Sequence, residues 1–287
     1  MQPTAAPHPL IAVDELARLL EDEPAPTLLD VRYRMGGPPG GAEFERGHVP
    51  GAAYVDLDGA LAAPPGDGGR HPLPDPADLQ AALRAAGVRE GRPVVVYDDW
   101  QGRAAARCWW LLRWAGHGSV RVLDGGWGAW VGAGHPVATG AGAPEPGDLV
   151  VRPGSVPTVG PEEVLDVAAR GLLLDAREAP RYAGETEPVD PVAGHVPGAV
   201  NAPTSANLAD DGRFRSPTEL AEVYAAARGR ETAVYCGSGV TAAHDLLAMA
   251  VAGLDGALYP GSWSEWVRDP ARPVATGPTP SGGVAEH

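Results

Sequence analysis

Cys236 stands in the run Tyr235-Cys236-Gly237-Ser238-Gly239-Val240-Thr241-Ala242, with a short apolar stretch before it and an Ala- and Leu-rich stretch over 240–252 after it. A thiol therefore sits where a strand stops and a helix starts. Glycines on both sides of Ser238 let the backbone curl into dihedrals that side chains forbid. Such a curl aims several N–H groups at one point, and a helix N-terminus adds roughly half a positive charge there. A thiol at that point attacks as thiolate. Cys236 is read as a nucleophile that carries a transferred atom. The blander alternative, a small buried hydrophobe, suits the other cysteine better. Cys108 lies in Ala104-Ala105-Ala106-Arg107-Cys108-Trp109-Trp110-Leu111-Leu112, a helical apolar run.

The elements that must position this thiol come in two sets. Leu28-Leu29-Asp30-Val31-Arg32 returns as Leu173-Leu174-Asp175-Ala176-Arg177, and Gly47-His48-Val49-Pro50-Gly51-Ala52 as Gly194-His195-Val196-Pro197-Gly198-Ala199. Val95-Val96-Tyr97-Asp98 returns as Ala233-Val234-Tyr235-Cys236, and the segment around Trp127 and Trp130 as the one around Trp263 and Trp266. Matches in one order, about 140 residues apart, mean two copies of one domain. The first copy is predicted to have helices at 12–20, 76–86 and 103–115 and strands at 28–31, 53–55, 94–97 and 120–123. The second is predicted to have helices at 161–169, 217–227 and 241–252 and strands at 172–175, 199–201, 233–235 and 257–259. Short continuous apolar strands alternating with helices imply an α/β fold. Each of the tandem domains is then a mostly parallel sheet with helices on both faces, and ligands sit outside the carboxyl ends of the strands. The expected division is 1–139, a linker at 140–149, a catalytic domain at 150–277 and a disordered tail at 278–287. Asp98 holds the thiol's place in the first copy. A carboxylate cannot do thiol chemistry, so that copy is read as an inactive structural partner.

A net charge of −15 argues against nucleic acid and anionic membrane surfaces as partners. Two cysteines in such different settings make neither a disulfide scaffold nor a cysteine zinc site. The chain has no apolar run of transmembrane length, and its start lacks the basic-then-apolar pattern of a secretion signal. The expectation is a cytoplasmic protein, with neither cofactor nor metal.

At the twice-occurring Gly-His-Val-Pro-Gly-Ala, the single Cys loop and Gly261-Ser262-Trp263-Ser264-Glu265-Trp266, the sequence resembles the two-domain rhodanese-type sulfurtransferases from about residue 11 to 276. The loop Cys236-Gly237-Ser238-Gly239-Val240-Thr241 resembles the 3-mercaptopyruvate branch. The thiosulfate branch usually has a basic residue after the Cys, where Gly237 and Ser238 are neutral. The resemblance implies a Cys236 persulfide, formed as a pyruvate enolate leaves and passed to thioredoxin, another thiol or cyanide. It implies Ser238, His71 and Asp58 as partners of Cys236, and Arg181 with the loop residues Gly237, Gly239, Val240 and Thr241 for the substrate. A fork of N–H donors on Arg181 suits a keto-acid carboxylate. The family often has a second arginine in a Glu-Pro-Arg segment, where this chain has Glu187-Pro188-Val189. Val189 cannot bind an anion, so Arg103 or Arg107 would have to compensate.

Other residues read as structural. His48 and His195, Asp30 and Asp175, and Arg32 and Arg177 occur in both copies, one of which is inactive. The paired tryptophans read as packing, and His244 as a helix residue with one polar edge. Three competing readings follow. Thiosulfate:cyanide sulfurtransferase uses the same persulfide with another donor. A non-catalytic persulfide carrier would show persulfide by mass without turnover. A cysteine phosphatase needs a longer loop closing on an arginine, and here position 242 is Ala with no arginine until Arg268.

Overall fold

A computed structural model of the chain describes residues 8–142 and 144–285. It divides into two units, one of residues up to Ala62 with Pro74–Ser155, the other of Ala63–Leu73 with residues from Val156 on. The first unit carries β1 (Leu10–Ile11), α1 (Val13–Leu19), β2 (Thr27–Asp30), α2 (Gly40–Arg46), β3 (Ala52–Tyr54), α3 (Leu57–Ala60), α4 (Pro76–Ala85), β4 (Val94–Tyr97), α5 (Arg103–Trp114), β5 (Val120–Leu123) and α6 (Gly126–Gly132). The second carries α7 (Val164–Arg170), β6 (Leu172–Asp175), α8 (Ala179–Tyr182), β7 (Val200–Asn201), α9 (Pro217–Val223), β8 (Thr232–Tyr235), α10 (Thr241–Val251), β9 (Ala257–Leu258), α11 (Ser262–Trp266), β10 (Val274–Thr276) and β11 (Gly283–Ala285).

Fully buried Val and Leu runs make the central strands, because a strand covered on both faces has no polar side to show. The first sheet runs β1-β5-β4-β2-β3 and the second β7-β6-β8-β9, both parallel throughout. The place of β1 is taken in the second sheet by a single parallel bridge, Thr158 to Leu258. Caps set the helix starts. Asp75 accepts from Ala77 and Asp78 ahead of α4, and Ser216 and Glu219 form a reciprocal box ahead of α9. The helix predicted at 161–169 starts only at Val164, after a turn. The one predicted at 217–227 breaks after Val223 into a 3₁₀ turn, Ala225–Ala227.

The duplication extends to side-chain bonds. Arg32 holds Asp30 and the Gly47 carbonyl, and Arg177 holds Asp175 and the Gly194 carbonyl. His48 donates to the Phe44 carbonyl and stacks on that ring, and His195 does the same with Tyr182. The Val49 and Val196 amides donate to the hydroxyls of Tyr97 and Tyr235. Each pair latches the turn before β3 or β7 to its own sheet, as expected for structural residues.

Two expected boundaries need correction. The linker expected at 140–149 is not free at its end: Leu149 is buried and bonded to Val88 and Arg84, and the Gly147 amide donates to the Arg84 carbonyl. Gly147 permits this approach, since a Cβ there would stand 1.8 Å from the Val88 carbonyl oxygen. Nor is 278–285 a disordered tail. β11 pairs antiparallel with β10, and β10 is bridged to His195, so the backbone donors there are used in a ladder. Residues 286–287 lie outside the described part.

Arg177 and Asp175 are both buried, and burial of the guanidinium is outweighed by the carboxylate beside it. Removing one partner strands the other charge. Arg177→Met is expected to cost about 3–5 kcal/mol, read from urea unfolding. A loss below about 1 kcal/mol would be that of an ordinary surface pair.

Candidate active site

β8 ends at Tyr235 and Cys236 follows with 1% of its surface exposed. The loop then turns through Gly239, at φ +76°, into α10. Gly239 is needed there, because a Cβ would stand 2.4 Å from the Pro260 carbonyl oxygen. The Gly239 amide donates to the Cys236 sulfur at 3.1 Å. The sulfur thus sits on the curl, ahead of an eleven-residue helix.

The loop is fixed by the segment that follows β9. The Cys236 amide donates to Ser262 Oγ at 3.1 Å, and that hydroxyl donates to the Tyr259 carbonyl. The amides of Trp263 and Ser264 donate to the carbonyls of Cys236 and Gly237, both at 2.9 Å. Ser262 takes a φ of +53° to make this possible. The first copy keeps the core of the device, since the Trp127 amide donates to the Asp98 carbonyl at 2.8 Å.

His71 Nδ1 lies 2.8 Å from Ser238 Oγ. Both belong to the second unit, because the loop Ala63–Leu73 groups with it. That loop is seated by the Arg70 amide, which donates to Ser264 Oγ at 3.0 Å. Gly69 has a φ of +97°, and a Cβ there would meet Ser264 Oγ and the Gly261 carbonyl at 2.7 Å. Asp58 lies on α3 of the first unit.

Arg181, on α8, faces the same loop: its Nη1 and Nη2 would stand 3.6 and 3.7 Å from a Cβ on Gly237. It is bonded to Glu187 through Nε and Nη2 and lies 3.3 Å from Asp190. Burial penalises the Glu187 carboxylate, but Arg181 and the amides of Asp190 and Val189 outweigh it and hold its pKa below the usual range. Burial lifts the Asp190 carboxyl against the pull of Arg70, with which it is also paired.

Sequence reasoning missed Arg70, Asp190, Ser262 and Ser264. The two serines stood in a motif read for its tryptophans, and Arg70 directly precedes His71. The expected stand-ins for the absent arginine, Arg103 and Arg107, lie on α5 of the first unit, with bonds to Trp100, Gln101 and Leu61. His244, expected as a helix residue with one polar edge, lies on α10. It is wholly buried, stacked on Phe214 and 3.1 Å from Asn207, which also bonds Asp245 and Tyr224. Cys108 is core, with its thiol pushed up to about 12 by burial. Among the described residues, no group of acidic, His and Cys side chains could hold a metal.

Comparison with known proteins adds a second line of observation. A model of the rhodanese-like domain matches residues 12–133 and again 161–269. A Pseudomonas aeruginosa protein named "Probable 3-mercaptopyruvate sulfurtransferase" is 47% identical over 279 residues, covering 93% of this chain and 98% of that protein. A Mycobacterium tuberculosis protein named "Putative thiosulfate sulfurtransferase SseB" is 45% identical over 276 residues, covering 93% and 97%. The crystal structure of SseA from Escherichia coli, described as a 3-mercaptopyruvate sulfotransferase with the rhodanese fold, superposes with a TM-score of 0.77. It is 30% identical and covers 90% of this chain and 99% of that one.

Gly239 and Gly253 both have positive φ, but only Gly239 faces a backbone oxygen; nothing lies within 4 Å of a Cβ at Gly253. Gly239→Ala is therefore expected to slow alkylation of Cys236 by iodoacetamide by about tenfold or more, as a misplaced reacting group does. Gly253→Ala is the control, and equal alkylation rates in both variants would disconnect the turn from the thiol.

Proposed function

Since the chain belongs to the rhodanese-like family, with both copies of the domain present, we propose that it is a sulfurtransferase working through a persulfide on Cys236. The observation that carries this is the Gly239 amide on the Cys236 sulfur, beside two guanidinium groups at Gly237. Loop amides and guanidinium groups favour an anion on that sulfur, before transfer and after it, in the manner of an oxyanion hole.

The donor we propose is 3-mercaptopyruvate. The Cys236 thiolate attacks the donor's sulfur, an S–S bond forms, and the C–S bond breaks. The bonding pair leaves on carbon as the pyruvate enolate. The thiol proton of the donor ends on that carbon, giving pyruvate and a Cys236 persulfide anion. Ser238 and His71, 2.8 Å apart, form the short path for this proton. The resemblance adds Asp58 as the acid of the set, and Asp58→Asn is the variant that tests it. Cyanide then attacks the outer sulfur and leaves as thiocyanate, restoring the thiolate. A protein thiol of the thioredoxin kind is the proposed cellular acceptor. A reducing, cytoplasmic setting suits two cysteines that are both free.

Arg181 binds the donor carboxylate in this reading, and Gly237, Gly239, Val240 and Thr241 line the donor's path to the sulfur. Thiosulfate is the second reading, favoured by the two guanidinium groups near Gly237, since a dianion gains more from paired positive charge.

Cys236→Ser, nearly isosteric, is expected to abolish transfer with folding intact by circular dichroism. More than trace turnover in that variant removes Cys236 from the mechanism. Arg181→Ala is expected to raise KM for 3-mercaptopyruvate by about tenfold or more, the worth of a charge-assisted bidentate bond. Turnover of 3-mercaptopyruvate and thiosulfate side by side, with cyanide as acceptor, decides the donor.

A further inference from the structure

The segment that carries a second arginine in relatives of this type has Val189 here, and its turn is closed by the Val189 and Asp190 amides on Glu187. No cation can reach the donor from that position. A different guanidinium occupies the neighbourhood. Arg70 Nη2 would stand 2.9 Å from a Cβ on Gly237, nearer than either terminal nitrogen of Arg181. Its side chain keeps about a quarter of its surface exposed, at 27%. Its Nε is buried and has no hydrogen-bond partner among the described residues.

Two features fix Arg70 in place. Its backbone is seated on Ser264 through a loop that only a glycine at 69 allows. Its Nη1 is paired with Asp190, whose other carboxylate oxygen lies 3.3 Å from Arg181 Nη2. Asp190 thus bridges the two guanidinium groups. A bridging carboxylate keeps two like charges together and lowers the cost of ordering them before a ligand arrives.

We propose that Arg70 is the second anion-binding residue of the donor site, replacing the arginine absent at 189, and that Asp190 is its positioning residue. Arg70 and Arg181 form a clamp beside Gly237 that takes the negatively charged end of the donor and aims its sulfur at Cys236. This rests on the sulfurtransferase reading for the identity of the donor, but not for the clamp itself. The clamp recognises charge in a planar fork, so it selects donors by their anionic terminus.

The test pairs pyruvate binding to the Cys236→Ser protein, by titration calorimetry, with kinetics of the otherwise native enzyme on 3-mercaptopyruvate and its uncharged ethyl ester. Arg70→Gln is expected to weaken pyruvate binding and to raise KM for the acid by about tenfold or more, with kcat and the ester's KM moving less than about threefold. The double variant Arg70→Gln with Asp190→Asn removes both members of the ion pair and should show the same selective loss, separating charge recognition from a folding defect. Arg70→Lys, a point charge without the fork, should regain part of the affinity. Equal losses for acid and ester, unchanged pyruvate affinity in Arg70→Gln, or no pyruvate binding at all would overturn the proposal. A protein that binds pyruvate through Arg70 yet transfers no sulfur would instead refute the sulfurtransferase reading and leave the clamp standing.

Discussion

Three backbone-directed bonds decide where the sulfur is. The Cys236 amide rests on Ser262 Oγ, and the carbonyls of Cys236 and Gly237 are taken by the amides of Trp263 and Ser264. They tie down the start of the turn after β8, and a glycine-rich turn has much entropy to lose. With them the loop has little freedom left, and the Gly239 amide stays on the thiol. Ser264 extends the same support outward. It takes the Arg70 amide and so seats the loop that also brings His71 to Ser238. One short helix, α11, thereby orders the Cys236 thiol, the Ser238 hydroxyl and the Arg70 guanidinium together.

Charge is balanced around that frame rather than accumulated. Arg70 and Arg181 meet Glu187 and Asp190 in a partly buried cluster. Burying four charges is costly unless each has a partner and good geometry. Here the carboxylates are themselves bonded to amides or bridged between two arginines. The arrangement orders the cations while leaving modest net charge.

The sequence made the duplication, the parallel sheets and the cysteine turn legible, because each rests on local signals. Buried strands such as β4, β5 and β6 are continuous apolar runs, and Cys236 follows one of them into a glycine turn. The twin motifs also marked His48, His195, Arg32 and Arg177 as structural, and their bonds agree. Short helices such as α2, α3, α8 and α11 were not legible, since a helix of one or two turns has too few residues to show a period. Arg70 and Asp190 were hidden for another reason. They lie 120 residues apart in the chain, and nothing in either neighbourhood announces the other. The β10 and β11 pair was misread because Pro and Gly at 278–282 look like an unstructured end, whereas they make the turn of a hairpin.

The first copy shows such a loop closed around a carboxyl group instead of a thiol. The Asp98 carboxylate, buried and lifted in pKa by that burial, accepts from the amides of Trp100, Gly102 and Ala105. Those three donors are satisfied by the protein's own side chain, so the ring around it is complete from the moment of folding. It asks for no reagent, cannot be oxidised, and keeps one shape throughout the life of the molecule. The second copy instead holds a thiol, on whose sulfur the Gly239 amide rests. Duplication has thus left one turn with two fillings, a carboxyl group that takes three backbone donors in one half and a thiol that takes one in the other.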